Sequence, residues 1–283
     1  MPNSIEISAN DGVSLSVRHF PTSDSSAPAL VIVHGACEHG GRYLHVAEEF
    51  NRRGWNVIVP DLRGHGRSAG CRVHVRHFDE YVSDLKTILA HFACVPTATV
   101  MLGHSMGGLV ATRFVQAYPA DIRALILMSP LLRVGFRVAP FTLALGKLLS
   151  YILPRYRFAN QISPENVTRN QEVLEARAKD SLMVNSVTAG WFFAMKQAIR
   201  DAWQDRADVN LPLLVIQAEE DRVVDPLAAG AWLENVPSGE KRLIMKPESF
   251  HEVLNEQDWL ETVDVIYEWI VRVMEIEPKP TVH

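Results

Sequence analysis

Five short apolar runs constrain this chain more than any other feature. They are Ala29-Leu-Val-Ile-Val33, Asn56–Val59, Ala98-Thr-Val-Met-Leu102, Ala124–Met128 and Leu213–Ile216. A strand with one wet face alternates apolar and polar residues. A run that stays apolar at nearly every position is buried on both faces. Segments of helical period separate these runs, near Tyr43–Arg53, Tyr81–Phe92, Leu109–Tyr118 and Pro226–Asn235. Arg242–Met245 reads as a last strand and Trp259–Met274 as a last helix. Strand and helix in alternation predict an α/β fold, a mostly parallel central sheet flanked by helices. At the start, Ile5–Ser8 and Val13–Phe20 alternate around Asn10-Asp-Gly12, a hairpin signal. The tail Glu277–His283 is expected to fray.

The alternation breaks between about Pro130 and Asp208, a stretch helical in character and without a clear strand. It is read as a helical cap, residues 130–208, inserted into a core made of residues 1–129 and 209–283. A length of 283 residues suits one α/β domain carrying such an insertion. Val138–Leu153 is apolar nearly all round, so it is buried or faces something other than water. Two readings stay open: a helix packed on the core, or a lid that covers an acyl pocket or touches a lipid surface.

Composition excludes several partners. Lys and Arg total 28 against 33 Asp and Glu, a net charge of −5, and no basic block suggests nucleic-acid binding. Cys37, Cys71 and Cys94 form neither a metal spacing nor a disulfide framework. The first residues carry no basic, apolar leader, and no run reaches about 18 apolar residues. The expectation is a cytoplasmic protein needing no cofactor; the oligomeric state is not legible.

The candidate chemistry centres on Gly103-His-Ser-Met-Gly107. Between a strand and a helix, G-x-S-x-G is the pattern of a nucleophile elbow, whose sharp turn needs small flanks and leaves Ser105 protruding. Serine is a poor nucleophile at neutral pH and needs a base, which in turn needs an orienting acid. Only His251 and the terminal His283 follow Ser105, and His251 sits in a loop directly after the last predicted strand. Asp221 leaves the preceding strand in the same way. Asp225, before Pro226, reads as a helix cap, and Glu219 and Glu220 rank lower. The amides of Met106, at a helix start, and Ala36, in the Gly-rich loop after the third strand, are the candidate oxyanion donors.

Four strings together carry a resemblance. His34-Gly-Ala-Cys-Glu-His-Gly-Gly-Arg-Tyr43, Pro60-Asp-Leu-Arg-Gly-His-Gly-Arg-Ser68, Gly103-His-Ser-Met-Gly-Gly108 and Ser249-Phe-His-Glu-Val-Leu-Asn-Glu256 resemble the monoacylglycerol lipase/lysophospholipase group of the α/β-hydrolases. The similarity runs over almost the whole chain. It implies Ser105 as nucleophile, Asp221 as acid, His251 as base, and Ala36 with Met106 as oxyanion hole. It also implies that Glu38, His39 and Arg42 brace the oxyanion loop, and that the substrate is an acyl ester or single-chain lipid; a transient membrane-surface contact through the cap stays one of the two open readings of Val138–Leu153. Asp180-Ser-Leu182 departs from the group's pattern, which carries a proline in the middle.

Rival readings remain. A small-ester esterase or thioesterase would use the same machinery. An aminopeptidase would need cap carboxylates for a free amine, for which Glu165, Glu172 and Glu175 are available. A lipid carrier could keep the pocket without chemistry. Asp61 and His65 read as organisers of a turn, His74 and His77 as no metal site, and Cys37 as a small residue that thiol reagents could reach.

Overall fold

A computed structural model describes residues 3–135, 139–160 and 162–275. The expectation for the tail Glu277–His283 lies outside those residues, as does Val138. A central sheet of eight strands holds β1 (Asn3–Ser8), β2 (Ser14–Phe20), β3 (Ala29–Val33), β4 (Asn56–Pro60), β5 (Thr99–His104), β6 (Ala124–Met128), β9 (Leu213–Ala218) and β10 (Lys241–Lys246). Their order is β1-β2-β4-β3-β5-β6-β9-β10. The β1/β2 hairpin and the β2/β4 pair are antiparallel, and every later pair is parallel.

The uninterrupted apolar runs have a direct cause. Alternate residues of one strand enter different cores, Val31 and Val33 on one face and Leu30 and Ile32 on the other. Helices α2 (Asp79–His91), α3 (Met106–Ala117) and α7 (Ala228–Leu233) bury their apolar residues on the first face. Helices α1 (Leu44–Arg52) and α8 (Trp259–Met274) cover the second. In α8 the buried set Val263, Ile266, Tyr267, Ile270 and Val273 repeats at three and four residues, one stripe of a helix.

β3 lies between β4 and β5, so the chain winds away from it in both directions. The loops after β3 and β5 therefore part toward opposite faces and leave a crevice at the carboxyl ends of the strands, where open α/β sheets bind ligands.

Between β6 and β9 lie α4 (Pro140–Ile152), β7 (Arg157–Ala159), α5 (Gln171–Lys179), β8 (Ser186–Thr188) and α6 (Ala189–Gln204). The expectation of no strand in this stretch is corrected: β7 and β8 pair antiparallel, Phe158 opposite Val187. Strands of three residues are too short to display a period, and the partners lie far apart in sequence. α4 packs against α6, where a side chain on Gly146 would come within 3.4 Å of the Phe193 ring. Its outer face is apolar and open, with Phe141 80% and Tyr151 77% exposed. Among the described residues, no helix is long and apolar enough to cross a membrane.

Candidate active site

Gly103 ends β5 with His104, and Met106 begins α3, so a single residue, Ser105, makes the turn. Its φ of 53° and ψ of −116° place it in a region that side chains rarely occupy. The strain is held by three main-chain bonds. Ser105 N–H donates to Met128 O at 3.0 Å, and its carbonyl accepts from Leu109 N–H at 3.1 Å and Leu131 N–H at 3.0 Å. A Cβ on Gly103 would lie 2.4 Å from the Gly107 carbonyl oxygen, and one on Gly107 would lie 2.2 Å from that of Val33. Both positions require glycine for α3 to pass this close to the sheet. Helix α3 starts three residues earlier than its apolar run, because tight packing outweighs the low helix propensity of Gly107 and Gly108.

His251 and Asp221 meet, although 30 residues separate them: Nδ1 donates to Asp221 Oδ2 at 2.8 Å. A carboxylate only accepts, so the proton is fixed on Nδ1 and Nε2 is left with its lone pair. The Asp221 Oδ1 accepts from the N–H groups of Val223 and Val224, each at 2.9 Å. Burial pushes this carboxyl up, but the neighbouring His251 and these donors outweigh burial and hold it below the usual carboxylate range. Asp225 lies elsewhere: it pairs with Arg133 at 2.8 Å and accepts from Leu227 N–H, a turn just ahead of α7. The His251 ring lies 4.7 Å, centre to centre, from that of His104, the residue before Ser105.

The loop after β3 closes on the elbow. A Cβ on Gly35 would come within 3.3 Å of Ser105 Cβ. Ala36 and Ser105 line one cavity of about 160 Å³. Met106 is the first residue of α3, among the helix-start N–H groups that lack a partner within the helix. The loop is braced from below, where Glu38 Oε1 accepts from Gly35 N–H at 2.6 Å and from Tyr43 Oη–H at 2.8 Å. Burial alone would raise the Glu38 carboxyl; the Arg42 guanidinium outweighs it and keeps the group ionised. Asp61 supports the neighbouring turn, accepting from Gly40 N–H, Arg67 N–H and Arg18.

The cavity runs from Ser105 beneath α4 and between the elements inserted between β6 and β9, lined by Leu143, Phe158, Val187, Phe192 and Met195 among others. Its described lining includes no charged side chain. Glu165, Glu172 and Glu175 are exposed and outside it. Helix α4 packs on α6, within the same inserted stretch, and its Thr142, Leu143 and Gly146 line this cavity. Cys37 lines it too, buried, with burial pushing its thiol up to about 12. His74 is held by Thr188 Oγ1 at 3.0 Å, and no cluster of three metal-ligating side chains occurs among the described residues.

Four contributors were not legible in sequence. Tyr43 and Glu252 join the bracing network, and Arg177 of α5 and Asp180 just past its end reach it as well. The one signal was the break at Asp180-Ser-Leu182.

This arrangement on this sheet defines a serine hydrolase of the α/β-hydrolase fold, acting on esters. The chain belongs to the serine aminopeptidase, S33, family, whose model matches residues 24–258. Among its relatives, the monoacylglycerol lipase of Mycolicibacterium smegmatis is 34% identical over 245 residues, 86% of this chain and 87% of that protein. Phospholipase YtpA of Bacillus subtilis is 33% identical over 238 residues, 83% of this chain and 92% of its own. The crystal structure of Paleococcus ferrophilus monoacylglycerol lipase superposes with a TM-score of 0.84 at 25% identity, covering 92% of this chain and 99% of that one.

Proposed function

We propose that this chain cleaves monoacylglycerol or lysophospholipid-type esters through an acyl-enzyme on Ser105. In this reading His251 Nε2 takes the hydroxyl proton as Ser105 Oγ attacks the acyl carbonyl. The Ala36 and Met106 amides receive the developing oxyanion, and Asp221 stabilises the imidazolium. His251 then protonates the departing alcohol, and water, activated by the same imidazole, releases the fatty acid.

The observation that carries the reading is the uncharged, apolar cavity that opens on Ser105. It suits an acyl chain, and it offers no carboxylate among its described lining residues for the amine that an aminopeptidase must hold. The names of the relatives support the same substrate class. Residues 130–208 act as the lid, with the exposed face of α4 resting on a lipid surface while substrate enters; the reading also takes the enzyme to be cytoplasmic. The test is fatty-acid release from matched monoacylglycerols, lysophospholipids and short p-nitrophenyl esters. Preference for long single chains supports it, and activity confined to short esters contradicts the lipid assignment.

A further inference from the structure

The last turn of α5 stands over the two loops that carry the Ala36 amide and His251. Arg177 lies in that turn, and Asp180 is the residue that follows Lys179 and caps the helix. Asp180 Oδ2 accepts from His39 Nε2 at 2.7 Å. The other ring nitrogen, Nδ1, accepts from Gly41 N–H at 3.1 Å, which fixes the proton on Nε2 and aims it at the carboxylate. Arg177 Nη1 donates to Glu252 Oε1 at 3.2 Å, and Glu252 directly follows His251. Main-chain bonds run beside these ties: Val184 N–H to Cys37 O at 2.9 Å, and Glu252 N–H to Val167 O at 2.7 Å.

The loop under this turn needs holding. Cys37, next to Ala36, has a φ of 64°, a left-handed conformation costing a non-glycine residue about 1–2 kcal/mol. Such a conformation persists only where the surroundings enforce it. From inside the core the loop is held by Glu38; from outside, by the cap through His39 and the Cys37 carbonyl.

We propose that Asp180 is a positioning residue for ester hydrolysis: acting through His39, it holds loop 35–41 so that the Ala36 amide faces the oxyanion. The cap segment is then part of the catalytic geometry as well as a roof over the acyl site. This inference rests on the reading of Ser105 and Ala36 given above. Oxyanion donors stabilise the transition state more than the bound ester, so loosening one lowers kcat and leaves KM nearly unchanged. Losing a donor outright costs about 10²–10³ in rate, so loosening one is expected to cost about ten-fold.

The experiment measures kcat and KM for p-nitrophenyl butyrate, with active sites counted by fluorophosphonate titration so that unfolded protein is not scored. Asp180→Ala should lose about ten-fold in kcat per active site with KM within about two-fold. Asp180→Asn keeps an oxygen for the His39 proton and should recover most of that loss. His39→Ala should match Asp180→Ala, and the double variant should be no worse than either, because the two act as one unit. Parental turnover per active site in Asp180→Ala, a loss confined to KM, or losses that multiply in the double variant would overturn the proposal. If Asp180→Ala yields no titratable protein, His39→Ala decides by the same criterion. A parent enzyme that fluorophosphonate does not label overturns the underlying reading as well, whereas a labelled parent beside a fully active Asp180→Ala overturns this inference alone.

Discussion

Arg42 and Glu252 lie 210 positions apart and form a two-pronged ion pair, Nη1 to Oε1 and Nη2 to Oε2, each at 2.6 Å. Arg42 also reaches Glu38 Oε2 at 2.5 Å, so one buried guanidinium joins the loop after β3 to the residue after His251. Removing one partner of a buried pair leaves an uncompensated charge, typically costing about 3–5 kcal/mol. Arg42→Ala strands two carboxylates and should destabilise by at least that much in urea unfolding. Arg42→Lys should recover little, because an ammonium cannot make both prongs. A variant within about 1 kcal/mol of the parent would contradict this account of the network.

The second prediction concerns acid. Burial, with His251 alongside, holds the His104 imidazole down at about 4, against 6.5 for a free one. Between those values the unfolded chain binds a proton that the native chain does not, so stability is full above pH 6.5 and falls toward pH 4. The contribution is on the order of 3 kcal/mol. Asp61 and Asp221, whose carboxyls are also held low, act in the same direction at lower pH. The melting temperature should drop between pH 7 and pH 4, and His104→Gln should flatten part of that slope. An unchanged slope in that variant would remove His104 from the account.

Cys37 gives the third. With its thiol pushed up from 9.0 to about 12, it carries about a thousand-fold less thiolate at neutral pH than an ordinary cysteine. The sequence suggested that thiol reagents could reach it; the buried, protonated thiol argues that alkylating agents will not. Iodoacetamide at pH 7 should leave the activity intact and Cys37 unmodified by peptide mapping. Rapid loss of activity with alkylation at Cys37 would refute this.

The exposed face of α4 gives the fourth. Phe141, Leu148 and Tyr151 are respectively 80%, 55% and 77% exposed and do not line the cavity. Exchanging all three for serine should weaken binding to phospholipid vesicles by about ten-fold or more, since burying each such side chain contributes about 1.5–3 kcal/mol. Turnover of a soluble short ester should stay within about two-fold of the parent. Equal vesicle binding by the triple variant would detach α4 from the lipid surface.

How much was legible follows the range of each interaction. β3, β6 and α8 could be read to the residue, because a doubly buried strand and an amphipathic helix each write their own period into sequence. The elbow was legible because its glycines, serine and flanking elements are contiguous. The start of α3 was misplaced because Met106-Gly-Gly108 has the local look of a turn, and only packing against Val33 and His34 makes it helix. β7 and β8 were missed because each is three residues long. The ties from Arg42 to Glu252 and from His39 to Asp180 span 210 and 141 positions, and no local pattern encodes such partners. Asp221 stood out from Asp225 because only the former sits in the loop immediately past β9, free of the helix that follows.

The most direct test of the central claim is fatty-acid release from 1-oleoylglycerol by the parent and by Ser105→Ala, both confirmed folded by circular dichroism. Loss of the attacking hydroxyl should lower kcat by at least about a thousand-fold while substrate still binds. Release by Ser105→Ala within about ten-fold of the parent rate would contradict the account, since no acyl-enzyme could then form at the elbow.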